Sequence, residues 1–116
     1  LSKLKVDNSI KQSQLSKFIS SLENGLQTMV GERGVKISGG EKQRIGIARA
    51  LYNNPNILIF DEGTSALDSE TEAKILKVLL QLKGKKTIIF ISHKKSNLDF
   101  CDKRFKIENK QITQIV

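Results

Sequence analysis

The spacing of apolar residues changes along the chain, and each change predicts an element. Residues 1–9 are largely polar and read as a loop or a frayed end. Between Ile10 and Glu23, apolar side chains fall at Leu15, Phe18, Ile19 and Leu22. That i, i+3, i+4, i+7 spacing is one face of a helix, and Asn24-Gly25 stops it. The following TMVGERGVKI, with glycines at 31 and 34, reads as a loop. Ser38-Gly-Gly-Glu41 matches a capping box, in which a hydroxyl and a later carboxylate satisfy orphan N–H groups, so a helix starts here. Asn-Asn-Pro at 53–55 ends it.

Ile57 to Phe60 is a short, continuously apolar run, the pattern of a parallel strand covered on both faces. Ser69-x-x-Glu72 reads as a second capping box, opening a helix whose apolar face is Ile75, Val78, Leu79 and Leu82. Gly84 ends that helix, with Lys83 near its negative end. Thr87 to Ile91 is a second buried strand, and strand, helix, strand makes a βαβ unit. Arg104 to Glu108 and Gln111 to Ile115 flank Asn109-Lys110 as a terminal hairpin. The fold class this predicts is α/β: a mostly parallel sheet with flanking helices and a C-terminal β-hairpin.

Composition narrows the class. With 116 residues, the chain is long enough for one small domain with a modest core. Hydrophobic residues make up 38% and charged residues 28%, ordinary for a soluble globular protein. The apolar runs are too short to cross a bilayer, and no secretory signal is visible. Residue 1 is Leu, which suits a start inside a longer chain. One cysteine, Cys101, excludes an internal disulfide framework and, with one histidine, disfavours a Cys/His metal cluster. The net charge of +8 invites a phosphate-bearing partner. The lysines are scattered, however, and aromatics are only 5%, so a solvated basic surface is favoured and no nucleic acid is expected.

Candidate chemistry gathers at the strand ends. In open α/β sheets, ligands bind beyond the carboxyl ends of the strands. Asp61-Glu62 follows the first strand and Ser92-His93 the second, so two acids and an imidazole would face one crevice. Adjacent carboxylates point in different directions from an extended backbone. One can hold Mg²⁺ through water while the other polarises an attacking water, as phosphoryl transfer needs. The pair can equally be acids leaving a strand into solvent. Ser38-Gly39-Gly40 likewise has two compatible readings. It is a helix cap, and it is an anion site in which glycines let backbone N–H groups approach a phosphate.

Together these motifs resemble a family, the ABC-type ATPases. ISGGEKQR resembles their signature sequence, ILIFDE their Walker B strand, SALD their D-loop and ISH their switch-histidine segment, in the family's order and spacing. The resemblance runs from about Ser13 to Ile115. VGERG before the signature and DEGTSALD, with Gly63 in place of a common Ala, resemble the exporter branch. Ile37 for Leu, Glu41 for Gln and Lys94 for Arg are mild departures. The family's phosphate loop, Gly-x-x-x-x-Gly-Lys-Ser/Thr, does not occur in these residues.

The resemblance implies a partial P-loop NTPase fold. Residues 1–54 would be part of the helical signature subdomain, and 55–116 the C-terminal half of the ATPase core. It implies ATP and Mg²⁺ as ligands of the intact parent domain. Ser38, Gly39 and Gly40 would contact the γ-phosphate of ATP held by a second nucleotide-binding domain, in a head-to-tail pair, with Glu41 beside them. Asp61 would hold Mg²⁺ through water, Glu62 would be the general base, His93 would contact the γ-phosphate, and Asp68 would cross the interface. Val30 to Gly34 would meet the transmembrane domain of an exporter, at the cytoplasmic face of the membrane. The 116 residues alone are expected to be inactive and prone to self-association, and a non-catalytic interaction module is the alternative reading.

Overall fold

The computed structural model describes residues 1–115. Helix α1, Lys3–Gln12, occupies the segment expected to be a loop. It packs on helix α3, Gly39–Tyr52, and the Ser2 N–H donates to the Tyr52 hydroxyl at 2.9 Å. Apolar periodicity misses α1 because its buried positions are serines. Ser9 is buried, and so is Ser13 just past the helix end. The Ser13 hydroxyl donates to the Ser9 carbonyl at 2.7 Å, and the Ser9 hydroxyl to the Val6 carbonyl at 3.0 Å. Small polar side chains that bond back to their own helix can face a core without being apolar.

The single helix expected from Ile10 to Glu23 is broken in two. α1 stops at Gln12, and α2 is the short Ser16–Ser21. Between them Gln14 takes a left-handed conformation, φ 61°. The guanidinium of Arg44 on α3 donates to its carbonyl at 2.8 Å, so a distant side chain holds the break. Leu15 is inserted beneath it, 2% exposed. Gly25 then turns the chain at φ 50°. In the loop that follows, Val30 bridges Val35. A Cβ at Gly34 would lie 2.0 Å from the Met29 carbonyl oxygen, so only glycine closes this loop.

Strands β1, Ile57–Asp61, and β2, Thr87–Ile91, are parallel and directly paired, with Ile57 opposite Thr87 and Asp61 opposite Ile91. Helix α4, Ser69–Leu82, connects them. Leu58 and Phe60 of β1, Ile47 and Leu51 of α3, and Ile75 and Leu79 of α4 form the core. Phe90 and Phe100 extend it, their rings edge to face at 5.4 Å. The two strands are covered on one face only, contrary to the expectation from their apolar runs. Among the described residues, Ile57, Ile59, Ile89 and Ile91 stay exposed on the other. The cap of α4 also differs from the Ser69–Glu72 box: Asp68 is the N-cap, accepting from the Thr71 N–H at 2.8 Å. Aspartate is among the best caps, and Glu70 and Glu72 then fall in the first turn, where the helix dipole favours them.

The hairpin forms as expected, from β3, Phe105–Glu108, and antiparallel β4, Gln111–Gln114. Asn109 and Lys110 both have positive φ, 52° and 62°, as a two-residue type I′ turn requires. Among the described residues, no helix is long and apolar enough to cross a membrane.

Candidate functional site

Two clusters form at one end of the fold. At the strand ends, the Glu62 N–H donates to the Ile91 carbonyl at 2.9 Å, carrying the ladder one residue beyond β1. Glu62 itself is left-handed, φ 55°. That conformation costs a non-glycine residue about 1–3 kcal/mol and persists only where surroundings enforce it. The Glu62 Oε1 accepts from the His93 N–H at 3.2 Å and lies 3.5 Å from the His93 ring Nε2. The imidazole is 99% exposed, so its pairing with Glu62 is weak by itself and the ring is free to meet a ligand. Asp61 is exposed beside them. A free carboxylate at this point has the hard-oxygen chemistry that holds Mg²⁺ through water.

The second cluster is a groove of about 420 Å³, lined by Ser38, Gly39, Gly40, Arg44, Asp68 and Thr71 among others. The N-termini of α3 and α4 both open on it, and each supplies unpaired N–H groups and partial positive charge. The capping box at Ser38 is complete. Its hydroxyl accepts from the Glu41 N–H at 3.1 Å, and its own N–H donates to the Glu41 Oε1 at 2.8 Å. Glu41 is thereby folded back on the helix end, while the Ser38 hydroxyl keeps its proton free to donate to an anion. A Cβ on Gly40 would stand 3.0 Å from the Ala66 carbonyl, so glycine lets the segment after Glu62 approach α3 closely. The Thr71 hydroxyl and N–H hold the Asp68 carboxyl below its usual range, against a small opposing push from burial; Arg44 and Lys74 add to the lowering. The Ser38–Gly40 end of α3 suits a phosphate group, whereas the end of α4 is already capped by the Asp68 carboxylate and Arg44 is bonded to the Gly40 and Gln14 carbonyls.

Glu62 and His93 are therefore brought together with Asp61, and Ser38 to Gly40 with Asp68, but the two sets do not line one cavity. Two side chains tie the loops in place in roles the sequence pattern does not assign: it gives Gln43 none, and it makes Glu72 half of a helix cap. Gln43 joins α3 to the segment after Glu62. Glu72, 6% exposed on α4, accepts from the Lys94 ammonium at 2.8 Å and from the Asn97 amide at 3.0 Å, anchoring the loop that carries His93. Their signal was available. Gln43, Ile47 and Leu51 share one stripe of α3, and Glu72, Ile75 and Leu79 one stripe of α4. A polar residue on a buried stripe is there to bond something.

Burial raises the Glu72 pKa, but hydrogen bonds from Lys94, Thr64 and Asn97, with the Lys94 charge, outweigh it and leave the carboxyl below its ordinary value of 4.5. A carboxyl depressed in the folded state stabilises fully above its unfolded pKa, and that contribution is lost as pH falls through the folded one. Glu72→Gln is thus expected to lower Tm at neutral pH. The gap between variant and parent should close as pH drops below about 4.5. Thermal melts of both proteins from pH 7 to pH 3 check this; a gap independent of pH would remove the ionised pair from the account.

The site is thus an α/β unit with a glycine-opened groove at one helix and adjacent acids at a parallel strand end. The family model described as ABC transporter matches residues 1–65, and the chain belongs to that family. It is 46% identical over 105 residues to an uncharacterized ABC transporter ATP-binding protein of Bacillus subtilis, covering 90% of this chain and 18% of that protein. Over 101 residues it is 48% identical to an ATM1-type heavy metal exporter of Novosphingobium aromaticivorans, 87% of this chain and 17% of the other. A solved structure of a bacterial Atm1-family ABC exporter with ATP bound superposes with a TM-score of 0.77 at 47% identity, over 84% of this chain and 17% of that one. The chain thus spans less than a fifth of the length of these relatives. Its fold is a partial P-loop ATPase fold: helices, a small parallel sheet and an antiparallel hairpin.

Proposed function

We propose that these residues form part of the ATPase domain of an ABC exporter, which couples ATP hydrolysis to transport across a membrane from its cytoplasmic face. Residues 1–54 belong to the helical signature subdomain and 55–116 to the second half of the core. The observation that carries the reading is the pairing of Glu62 with His93 at the ends of β1 and β2, beside the exposed Asp61. Bound Mg²⁺ supplies neutralisation of charge on the phosphate oxygens. Asp61 would hold it through water. The Glu62 carboxylate accepts a proton from the attacking water, and the His93 ring donates toward the terminal phosphate.

The Ser38 hydroxyl and the N–H groups of Gly39 and Gly40 donate to a phosphate held elsewhere. Their groove does not include Glu62 or His93, and this supports service to a nucleotide bound by a second such domain, arranged head to tail. Glu41 steadies that helix end, and Asp68 caps α4 beside it. The loop around Val30 to Gly34, where Met29, Val30 and Val35 stay exposed, fits contact with the transmembrane part.

The test is phosphate release. Positioning and charge stabilisation of the β- and γ-phosphates come from a phosphate loop, a pattern these residues lack. The 116 residues alone are expected to show no turnover of Mg-ATP above background, and the full-length protein containing them to hydrolyse it. Turnover by the 116 residues alone that disappears in Glu62→Gln would overturn this division of labour.

A further inference from the structure

Gln43 stands one turn beyond Gly39 and Gly40 on α3. Its Nε2 donates to the Glu62 carbonyl at 2.9 Å and to the Ser65 hydroxyl at 2.9 Å, and its Oε1 accepts from the Ala66 N–H at 2.8 Å. The orientation of the amide is unambiguous, because a backbone carbonyl only accepts and a backbone N–H only donates. One side chain thus spans the whole turn that begins at the left-handed Glu62. Within that turn, the Ser65 N–H donates to the Glu62 carbonyl at 3.2 Å, and the Ala66 carbonyl approaches Gly40. No other ordinary side chain of this reach offers two donors and an acceptor in one plane: glutamate cannot donate and lysine cannot accept.

We infer that Gln43 is a positioning residue for Glu62. It enforces the left-handed backbone that aims the Glu62 carboxylate past the end of β1, and it locks that turn to the helix bearing Ser38 to Gly40. The strain at Glu62 needs partners that over-determine it: the Ile91 carbonyl holds its N–H, and the Gln43 amide holds its carbonyl and the turn that follows. Helix and turn consequently move as one body, so the groove and the base keep a fixed relation. The catalytic consequence rests on the reading of Glu62 as the base; the positioning itself does not.

The experiment uses the full-length protein containing these residues, with Gln43→Leu, Gln43→Glu and, as a control, Glu62→Gln. Hydrogen exchange is followed at the amides from Glu62 to Leu67, alongside ATP affinity and turnover. Gln43→Leu removes donors and acceptor at similar size. Exchange at the Ala66 amide and turnover should change by at least about tenfold, as expected for the loss of two or three neutral hydrogen bonds. ATP affinity should fall much less than turnover, since Gln43 itself does not line the groove, although the Ala66 it bonds does. Gln43→Glu keeps the acceptor, so Ala66 should remain protected while turnover falls; it also serves if Gln43→Leu does not fold. Parental exchange and turnover in Gln43→Leu, with Glu62→Gln inactive, would overturn the inference and leave the base assignment standing. Parental turnover in Glu62→Gln would overturn the base assignment instead, and the exchange data would then decide the positioning role alone.

Discussion

Glu62→Gln is expected to lower ATP turnover of the full-length protein by about 10²–10⁴-fold, the usual worth of general-base catalysis, while nucleotide affinity stays close to parental. Glutamine keeps the size of the side chain. Its amide oxygen can still accept from the His93 N–H, as the Glu62 Oε1 does at 3.2 Å, so the loop geometry survives. What is lost is the ability to take a proton. Because hydrolysis fails after binding, the variant should accumulate as an ATP-held pair of domains. Asp61→Asn should differ: it weakens the hold on Mg²⁺ and should shift the metal dependence as well as the rate. His93→Ala should fall with Glu62→Gln, since it removes a phosphate contact and spares the metal. The three variants are compared for affinity, Mg²⁺ titration and turnover in one reconstituted preparation. Turnover of Glu62→Gln near the parental rate would show that Glu62 is not the base.

Residues whose chemistry is local were legible in the sequence. The Ser38–Glu41 box needs only a fixed spacing along one helix turn, and it forms as read. β1 and β2 appear where the apolar runs lie, and Asn109-Lys110 turns the hairpin. What was missed depends on partners far along the chain. The break at Gln14 is held by Arg44, thirty residues away. Helix α1 faces inward with serines, which satisfy their hydroxyls on their own carbonyls and so carry no apolar signature. Gln43 and Glu72 are polar residues on apolar stripes, and their meaning lies in loops that only folding brings near. For the candidate site, the nearness of Asp61, Glu62 and His93 followed from strand ends, whereas the division into a strand-end cluster and a separate groove arises only in the folded chain.

Leu79→Ala should be the most damaging change to the fold. Leu79 is 0% exposed and joins the cluster where α3, β1 and α4 meet. Truncating a buried leucine costs about 2–5 kcal/mol, through lost transfer energy and the cavity left behind. Small domains hold only about 5–15 kcal/mol in total, and each kcal/mol moves Tm by about 3–6 °C at a size of about 100–150 residues. A fall of roughly 10 °C or more, or loss of the cooperative transition, is therefore expected. Leu79→Met, which nearly conserves volume, should cost less than about 1.5 kcal/mol. Ile59→Lys provides the contrast, because Ile59 lies on the bare face of the sheet and is 65% exposed. It opens no cavity, so its melt should stay near the parental one. Its effect should appear in association instead: an exposed apolar sheet face favours pairing between copies of the isolated chain, and a lysine there opposes it. Thermal melts and sedimentation of the three variants at several concentrations separate these outcomes. Equal melts for Leu79→Ala and Ile59→Lys would mean that the core does not lie between the helices and the Leu58–Phe60 face of β1. Unchanged association in Ile59→Lys would mean that the bare face is not what brings the copies together.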